Sequence, residues 1–174
     1  SANPNCREDN CPVDGLNWYD AALFCNALTK YYGSNDTVYA YSGVVGDVGK
    51  NCELTDVSTD LSKSGVRLPT DEQWEFGYRS WTETAYYWGD AVEEYGEVHA
   101  DKYAWWVGNS YEDGTHAVAL KTPNDFGLYD MAGNLWEWCH DLAGEGSTNR
   151  ILHGGSYASR EELSATEIIG VPPN

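Results

Sequence analysis

The stretch that decides the fold is Pro123-Asn124-Asp125-Phe126-Gly127-Leu128-Tyr129-Asp130-Met131-Ala132-Gly133-Asn134-Leu135-Trp136-Glu137-Trp138. Pro123 and the Asn-Asp pair open a turn, Gly127 permits a bend, and Gly133-Asn134 supplies two neighbours that tolerate positive φ. Between and after these hinges stand large apolar and aromatic side chains, too many for a solvated loop. The segment is expected to be largely buried, with an irregular backbone whose polar groups need specific partners.

Working outward, two helices are legible. Asn17 is a good N-cap, and Trp18, Ala21, Ala22, Cys25 and Leu28 keep helical spacing on one face, with Asp20, Asn26 and Lys30 off it and Gly33 as the stop. Thr70 followed by Gln73 predicts a capping box, with Asp71 and Glu72 in the first turn and Trp74, Tyr78 and Trp81 continuing the inward face. Short strands are expected at 11–13, 38–41 and 103–107. Residues 33–65, rich in Gly, Ser, Asp and Asn, are expected to be a surface excursion, and 91–115 are acidic and loop-like.

A chain of 174 residues with 41% hydrophobic and 14% aromatic content folds around one core of reasonable size. Its net charge of −18 opposes binding to phosphate backbones and anionic bilayers and favours cations or neutral ligands, so a nucleic-acid role is excluded. No apolar run is long enough to insert this segment into a membrane. The five cysteines (Cys6, Cys11, Cys25, Cys52, Cys139) contain no Cys-x-x-Cys pair, which argues against zinc. Cys6, Cys11 and Cys52 sit in polar loops that suit disulfides in an oxidising compartment, while Cys25 and Cys139 read as small core residues beside aromatics. His99, His116, His140 and His153 are scattered and read as surface or packing residues. Asn35-Asp36-Thr37 matches a glycosylation acceptor, a triplet common by chance.

Gly127-Leu128-Tyr129-Asp130-Met131-Ala132-Gly133-Asn134-Leu135-Trp136-Glu137-Trp138 closely resembles the signature of the formylglycine-generating enzyme, or sulfatase-modifying factor, family. Three further blocks keep the family's order: Leu16-Asn17-Trp18-Tyr19-Asp20-Ala21, Arg67-Leu68-Pro69-Thr70-Asp71-Glu72-Gln73-Trp74-Glu75-Phe76, and Ile151-Leu152-His153-Gly154-Gly155-Ser156-Tyr157. The resemblance implies an α+β fold, a variant of the C-type lectin type, with few helices, short antiparallel strands and much irregular loop. It also implies that residues 1–174 are a single such domain, shorter than the family's at both ends.

In the family, oxidase activity rests on two copper-binding cysteines shortly after the Gly-Gly-Ser-aromatic motif. Here the corresponding positions are Ser159 and Ser164, and a hydroxyl is neither a soft Cu(I) ligand nor redox-active, so no copper is expected and no catalytic residue is assigned. The resemblance further implies a structural calcium ion held by Asp130, Gly133, Leu135 and Glu137, with carboxylates at the first and last positions and backbone carbonyls between. The bland alternative has Asp130 capping a turn and Glu137 pairing with Arg67 or Arg79. A second family calcium site falls near Asn109 and Asp113. Some relatives display a ligand surface after the Gly-Gly motif, which maps here to Tyr157, Ser159, Arg160, Glu161 and Glu162 and suits a protein or carbohydrate ligand. The expected role is a non-catalytic binding or structural module of a bacterial protein outside the cytoplasm, at the cell surface, secreted or periplasmic. The competing expectation is a formylglycine-type oxidase or related enzyme acting on a protein substrate.

Overall fold

The computed structural model describes residues 10–94 and 97–174. Helix α1 (Trp18–Tyr31) starts where Asn17 accepts the Asp20 amide at 2.9 Å, and its last turn closes with the Tyr32 amide on the Leu28 carbonyl. Trp18, Ala22 and Cys25 face inward, as their spacing predicts, and pack with Val38 and Tyr39. Asp20 and Asn26 were expected off that face, yet both are buried. Each serves as an anchor for irregular chain. Asp20 accepts the Gly49 and Asn51 amides at 2.6 and 2.7 Å, and Asn26 brackets the backbone of Tyr39 from both sides.

The excursion after α1 is two nested hairpins. Strand β1 (Tyr39–Ala40) pairs with β4 (Ser58–Thr59), and inside them β2 (Gly43–Val45) pairs with β3 (Glu53–Thr55), all antiparallel. It lies mostly at the surface but is pinned by Val38, Tyr39, Cys52 and Leu54. Cys52 is a free, fully buried thiol that donates to Asp20, so the disulfide expected there is not formed. Cys11 is disulfide-bonded, and Cys6 lies outside the described residues. Residues 11–13 are irregular instead of the expected strand.

Helix α2 (Asp71–Arg79) carries the Thr70/Gln73 capping box, and Trp74 and Tyr78 point inward. Trp81 does not. The helix ends at Ser80 with φ 44°, the next residue has φ 78°, and this pair of left-handed residues breaks the helical phase and turns Trp81 out to 78% exposure. A hairpin of β5 (Glu93–Glu94) and β6 (Glu97–Val98) follows. The strand expected at 103–107 is replaced by two one-turn helices, α3 (Ala100–Tyr103) and α4 (Val107–Ser110), flanking a parallel bridge between Trp105 and Gly133. The chain closes with an antiparallel sheet, β7 (Glu137–Leu142), β8 (Arg150–His153) and β9 (Ile169–Val171), with β8 central and the β7 register shifted between Trp138 and Leu142.

The largest core cluster joins Trp74, Tyr78, Tyr87, Trp106, Met131 and Cys139, a second gathers around Trp18, and a third joins Leu23, Cys52 and Leu54. Indole N–H groups stitch the first two together: Trp18 donates to the Cys139 carbonyl at 2.9 Å and Trp138 to the Leu16 carbonyl at 3.1 Å. Both bonds tie the end of the 123–138 segment to α1 and its entry. The architecture is therefore α+β, with few helices, short antiparallel strands and long irregular connections.

Candidate metal centre and ligand surface

The 123–138 segment opens on a turn organised by Asn124. Its amide nitrogen donates to the Gly77 and Tyr78 carbonyls at the end of α2, at 2.7 and 3.1 Å, and its oxygen accepts the Phe126 and Leu128 amides, both at 3.1 Å. Four polar backbone groups are satisfied by one buried side chain, which is how an irregular turn is tolerated against the core. The chain then passes through three left-handed residues, Asp130 (φ 57°), Gly133 (φ 77°) and Asn134 (φ 60°), before entering β7. A side chain at 133 would collide with the Trp105 backbone, whose carbonyl accepts the Asn134 amide at 2.8 Å.

These bends place Asp130, Asn134, Leu135 and Glu137 around one cavity of about 430 Å³, roofed by Pro12 and Val13. Asp130 accepts the Ala119 amide at 2.7 Å, and burial raises its carboxyl despite that bond and the nearby Lys121. Glu137 accepts the Trp74 indole N–H at 2.5 Å; burial, with the charge of Asp130 adding to it, pushes its carboxyl up to about 7. Neither of the arginines considered as partners reaches Glu137. Arg67 donates to the Leu68 carbonyl and Gln73, and Arg79 to Glu75 and the Thr84 carbonyl. The Gly133 and Leu135 carbonyls accept no hydrogen bond among the described residues. The cavity lining thus carries two acidic side chains, Asp130 and Glu137, beside Leu135 with its unbonded carbonyl, while Gly133 stands outside the lining; oxygen donors of net negative charge suit a hard divalent cation. Among the described residues no three His, Cys, Asp or Glu side chains converge, so Asp130 and Glu137 have no third such side chain beside them.

Trp74 connects this cavity to a second cluster. His153 is cross-strand to Glu137, stacks on Trp74 with ring centroids 4.2 Å apart, and sets Nε2 2.6 Å from Asp71, whose amide in turn donates to Asp141. Trp74 was legible in the sequence as an inward residue but not as a hydrogen-bond donor to Glu137. Nothing in helical periodicity signals which polar atom an indole will meet.

Asn109 and Asp113 lie on and beyond α4. The Asn109 oxygen accepts the Trp106 amide at 3.0 Å and its nitrogen donates to Asp101 and the Ala104 carbonyl, so the carboxamide is occupied within its own turn. Asp113 is exposed. Behind them Trp105 is sandwiched between His116, stacked at 3.7 Å, and the Lys121 ammonium, 3.7 Å from the ring centroid. Burial depresses both His116 and Lys121 from their ordinary values.

The loop after Gly155 is tied to the 123–138 segment by the Tyr157 amide on the Asn134 carbonyl at 3.0 Å. Ser159 is buried rather than displayed, its oxygen accepting the Ser156 amide at 3.1 Å and its carbonyl the Val107 amide. Ser164 is buried too. Tyr157 is half-buried, and Arg160 is exposed with its guanidinium 5.6 Å over Trp106. The Arg160 amide donates to Glu162 at 3.0 Å, and Glu161 begins a short 3-10 turn, Glu161–Leu163. The free cysteines are remote in character from catalytic thiols. Burial pushes Cys25 and Cys52 up to about 11, and Cys139 is raised further by burial and by Glu137 and Asp71.

The profile of the sulfatase-modifying factor enzyme 1-like domain matches residues 2–168. The chain belongs to that family. Among similar proteins, the chaperone protein LppX of Paenibacillus barcinonensis is 28% identical over 85% of this chain and 59% of its own length. Inactive C-alpha-formylglycine-generating enzyme 2 of Bos taurus is 35% identical over 58% of this chain and 35% of its own. Formylglycine-generating enzymes match at comparable identity. The chain thus spans between about a third and three fifths of these relatives. Among solved structures of the fold, Treponema denticola variable protein 1 superposes with a TM-score of 0.77 at 29% identity, covering 99% of this chain and 70% of that one.

Proposed function

We propose that this sulfatase-modifying factor domain is a non-catalytic binding or structural module, and that its 123–138 segment is held in shape by a calcium ion. The observation that carries the first part is the pair of buried hydroxyls, Ser159 and Ser164, at the positions where the family's oxidases place thiols. Ser159 is engaged with Ser156, and the free thiols elsewhere are held in the protonated form by burial. Relatives named as an inactive enzyme and as a chaperone are in keeping with this reading, and the chaperone favours a protein ligand over a small molecule. Tyr157, Arg160 and Glu162, with Glu161 between them, are the proposed ligand edge, and Ser159 supports it from beneath.

Asp130 and Glu137 would supply anionic oxygens to the ion, with the Gly133 and Leu135 carbonyls beside them; the ion would neutralise two carboxylates that burial otherwise drives toward protonation. The proposal is confined to these four, because Asn109 commits its carboxamide to its own turn. The disulfide at Cys11 supports an oxidising compartment, outside the cytoplasm of a bacterial cell. No helix among the described residues is long and apolar enough to cross a membrane.

Two measurements test the reading. An ion binding only the native state at about a hundredfold excess over its Kd adds about 2.7 kcal/mol, or about 5–10 °C of Tm for a domain of this size. Excess chelator should therefore lower Tm by that amount, and Glu137→Gln should abolish the response. An unchanged midpoint would remove the calcium. Oxidation of a cysteine-containing sulfatase peptide by the protein, with or without copper, would remove the non-catalytic reading.

A further inference from the structure

Phe76, Trp81 and Phe126 form a closed aromatic knob on the surface. Their exposures are 54%, 78% and 38%, and Leu128, 40% exposed, adjoins them over Gly77. Ring centroids lie 5.3 Å (Phe76 to Trp81), 5.4 Å (Phe76 to Phe126) and 5.7 Å (Trp81 to Phe126) apart, with Trp81 edge-to-face against both phenyl rings. Large apolar side chains gathered on a surface mark an interaction site more often than scattered ones do.

The knob is held outward rather than left loose. Ser80 and Trp81 take consecutive positive φ values, a conformation that bulky side chains avoid and that persists only where its surroundings impose it. Those surroundings are specific. The Ser80 amide is fixed on the Phe76 carbonyl and its hydroxyl accepts the Asp125 amide at 3.3 Å. The Arg79 carbonyl accepts both the amide and the hydroxyl of Thr82, and Asn124 clamps the Phe126 turn to the end of α2. An apolar group presented on a rigid frame binds with less ordering cost than one on a mobile loop.

The polar rim sets the partner's chemistry. Glu72 stands one turn before Phe76, Glu83 two residues after Trp81, and Asp125 beside Phe126, all exposed. The arginine of this region, Arg79, is occupied by Glu75 at 2.6 Å and the Thr84 carbonyl. With a chain charge of −18 behind it, this rim repels a second copy and an anionic bilayer alike and attracts a cationic segment, whereas a neutral sugar gains nothing from the charge itself. With centroids 5.3–5.7 Å apart the rings pack on one another, and their outer faces offer one apolar surface for a partner to cover. We propose that Phe76, Trp81 and Phe126 are a docking surface for a partner polypeptide whose contacting segment carries apolar side chains flanked by Lys or Arg. The surface is separate from the Tyr157–Glu162 edge and from the ion site, and stands or falls without them.

The test uses short synthetic peptides with a Leu-Pro-Leu centre and Lys or Arg flanks, against twins with Glu flanks, at saturating calcium and again in chelator. Basic-flanked peptides should bind, Glu-flanked twins should not, and Trp81→Ala or Phe126→Ala should weaken binding about tenfold or more, the loss expected of a central aromatic contact. Tyr31→Ala, an 82% exposed aromatic on α1, should change nothing. Combined Glu72→Gln, Glu83→Gln and Asp125→Asn should flatten the salt dependence without touching the knob. The proposal is overturned if no basic-flanked peptide binds, if Glu-flanked twins bind equally, if Trp81→Ala is silent while Tm is unchanged, or if only oligosaccharides or zwitterionic vesicles respond.

Discussion

Replacing Gly133 by alanine should be far more damaging than the same change at Gly127, although both glycines share a φ of 77°. At either position a Cβ in the left-handed region costs about 1–2 kcal/mol. At Gly127 nothing lies within 4 Å of the new carbon, so that conformational cost is the whole effect. At Gly133 the new carbon would sit 2.9 Å from the Trp105 carbonyl carbon, 3.2 Å from its nitrogen and closer still to its oxygen, all backbone atoms that no rotamer change can clear. Relief requires opening the Trp105–Gly133 bridge, which loosens the Asn134 amide on Trp105 (2.8 Å) and the Gly133 amide on Gly154 (2.7 Å). Each lost bond in a buried setting is worth about 1 kcal/mol. The sum for Gly133→Ala is about 3–4 kcal/mol, or a Tm lowered by about 6–16 °C, against about 2–8 °C for Gly127→Ala. Thermal and urea unfolding of both variants, each in saturating calcium and in chelator, measure this directly. Equal shifts for the two variants under both conditions would refute the steric argument and leave only backbone strain.

Asp20 gives a pH signature. Burial raises its carboxyl, but bonds from the Cys52 thiol and the Gly49 and Asn51 amides outweigh it and leave the group below its ordinary value. A carboxylate depressed by folding contributes stability above its unfolded value that disappears as pH falls through the folded one, so Asp20→Asn should cost about 2–3 kcal/mol at pH 7 and progressively less below about pH 4. A difference between wild type and variant that stays constant from pH 7 to pH 2 would refute it. The thiols of Cys25, Cys52 and Cys139, buried and raised, should resist alkylation in the native protein at neutral pH and label together on unfolding; rapid native labelling of Cys139 would show that the core beside β7 opens.

Local chemistry made the two main helices readable in advance. Caps at Asn17 and Thr70 act within three residues, and apolar spacing at Trp18, Ala22 and Cys25 or Trp74 and Tyr78 repeats every turn, so these signals survive without tertiary context. The same locality explains the misses. Trp81 fits the period of α2, but its direction was decided at Ser80, where the chain leaves the helix because the 123–128 turn docks there. Asp20 and Asn26 look like a solvated face until the excursion folds back and requires acceptors and donors for Gly49, Asn51 and Tyr39. The 103–107 segment has strand-like residues, yet its pairing partner is the bend at Gly133 rather than another strand, and so it bridges once and coils on either side.

The sequence by itself determined the family, the α+β class and the two acidic residues flanking Gly133, because the motif around residues 127–138 is contiguous and is read without tertiary context. Only the tertiary structure decided that Glu137 would meet the Trp74 indole and lie across from His153, that Ser159 would turn inward, and that Phe76, Trp81 and Phe126 would meet outside. These are contacts between residues tens of positions apart, set by packing and by the demand that every buried polar group find a partner, and no spacing along the chain encodes them.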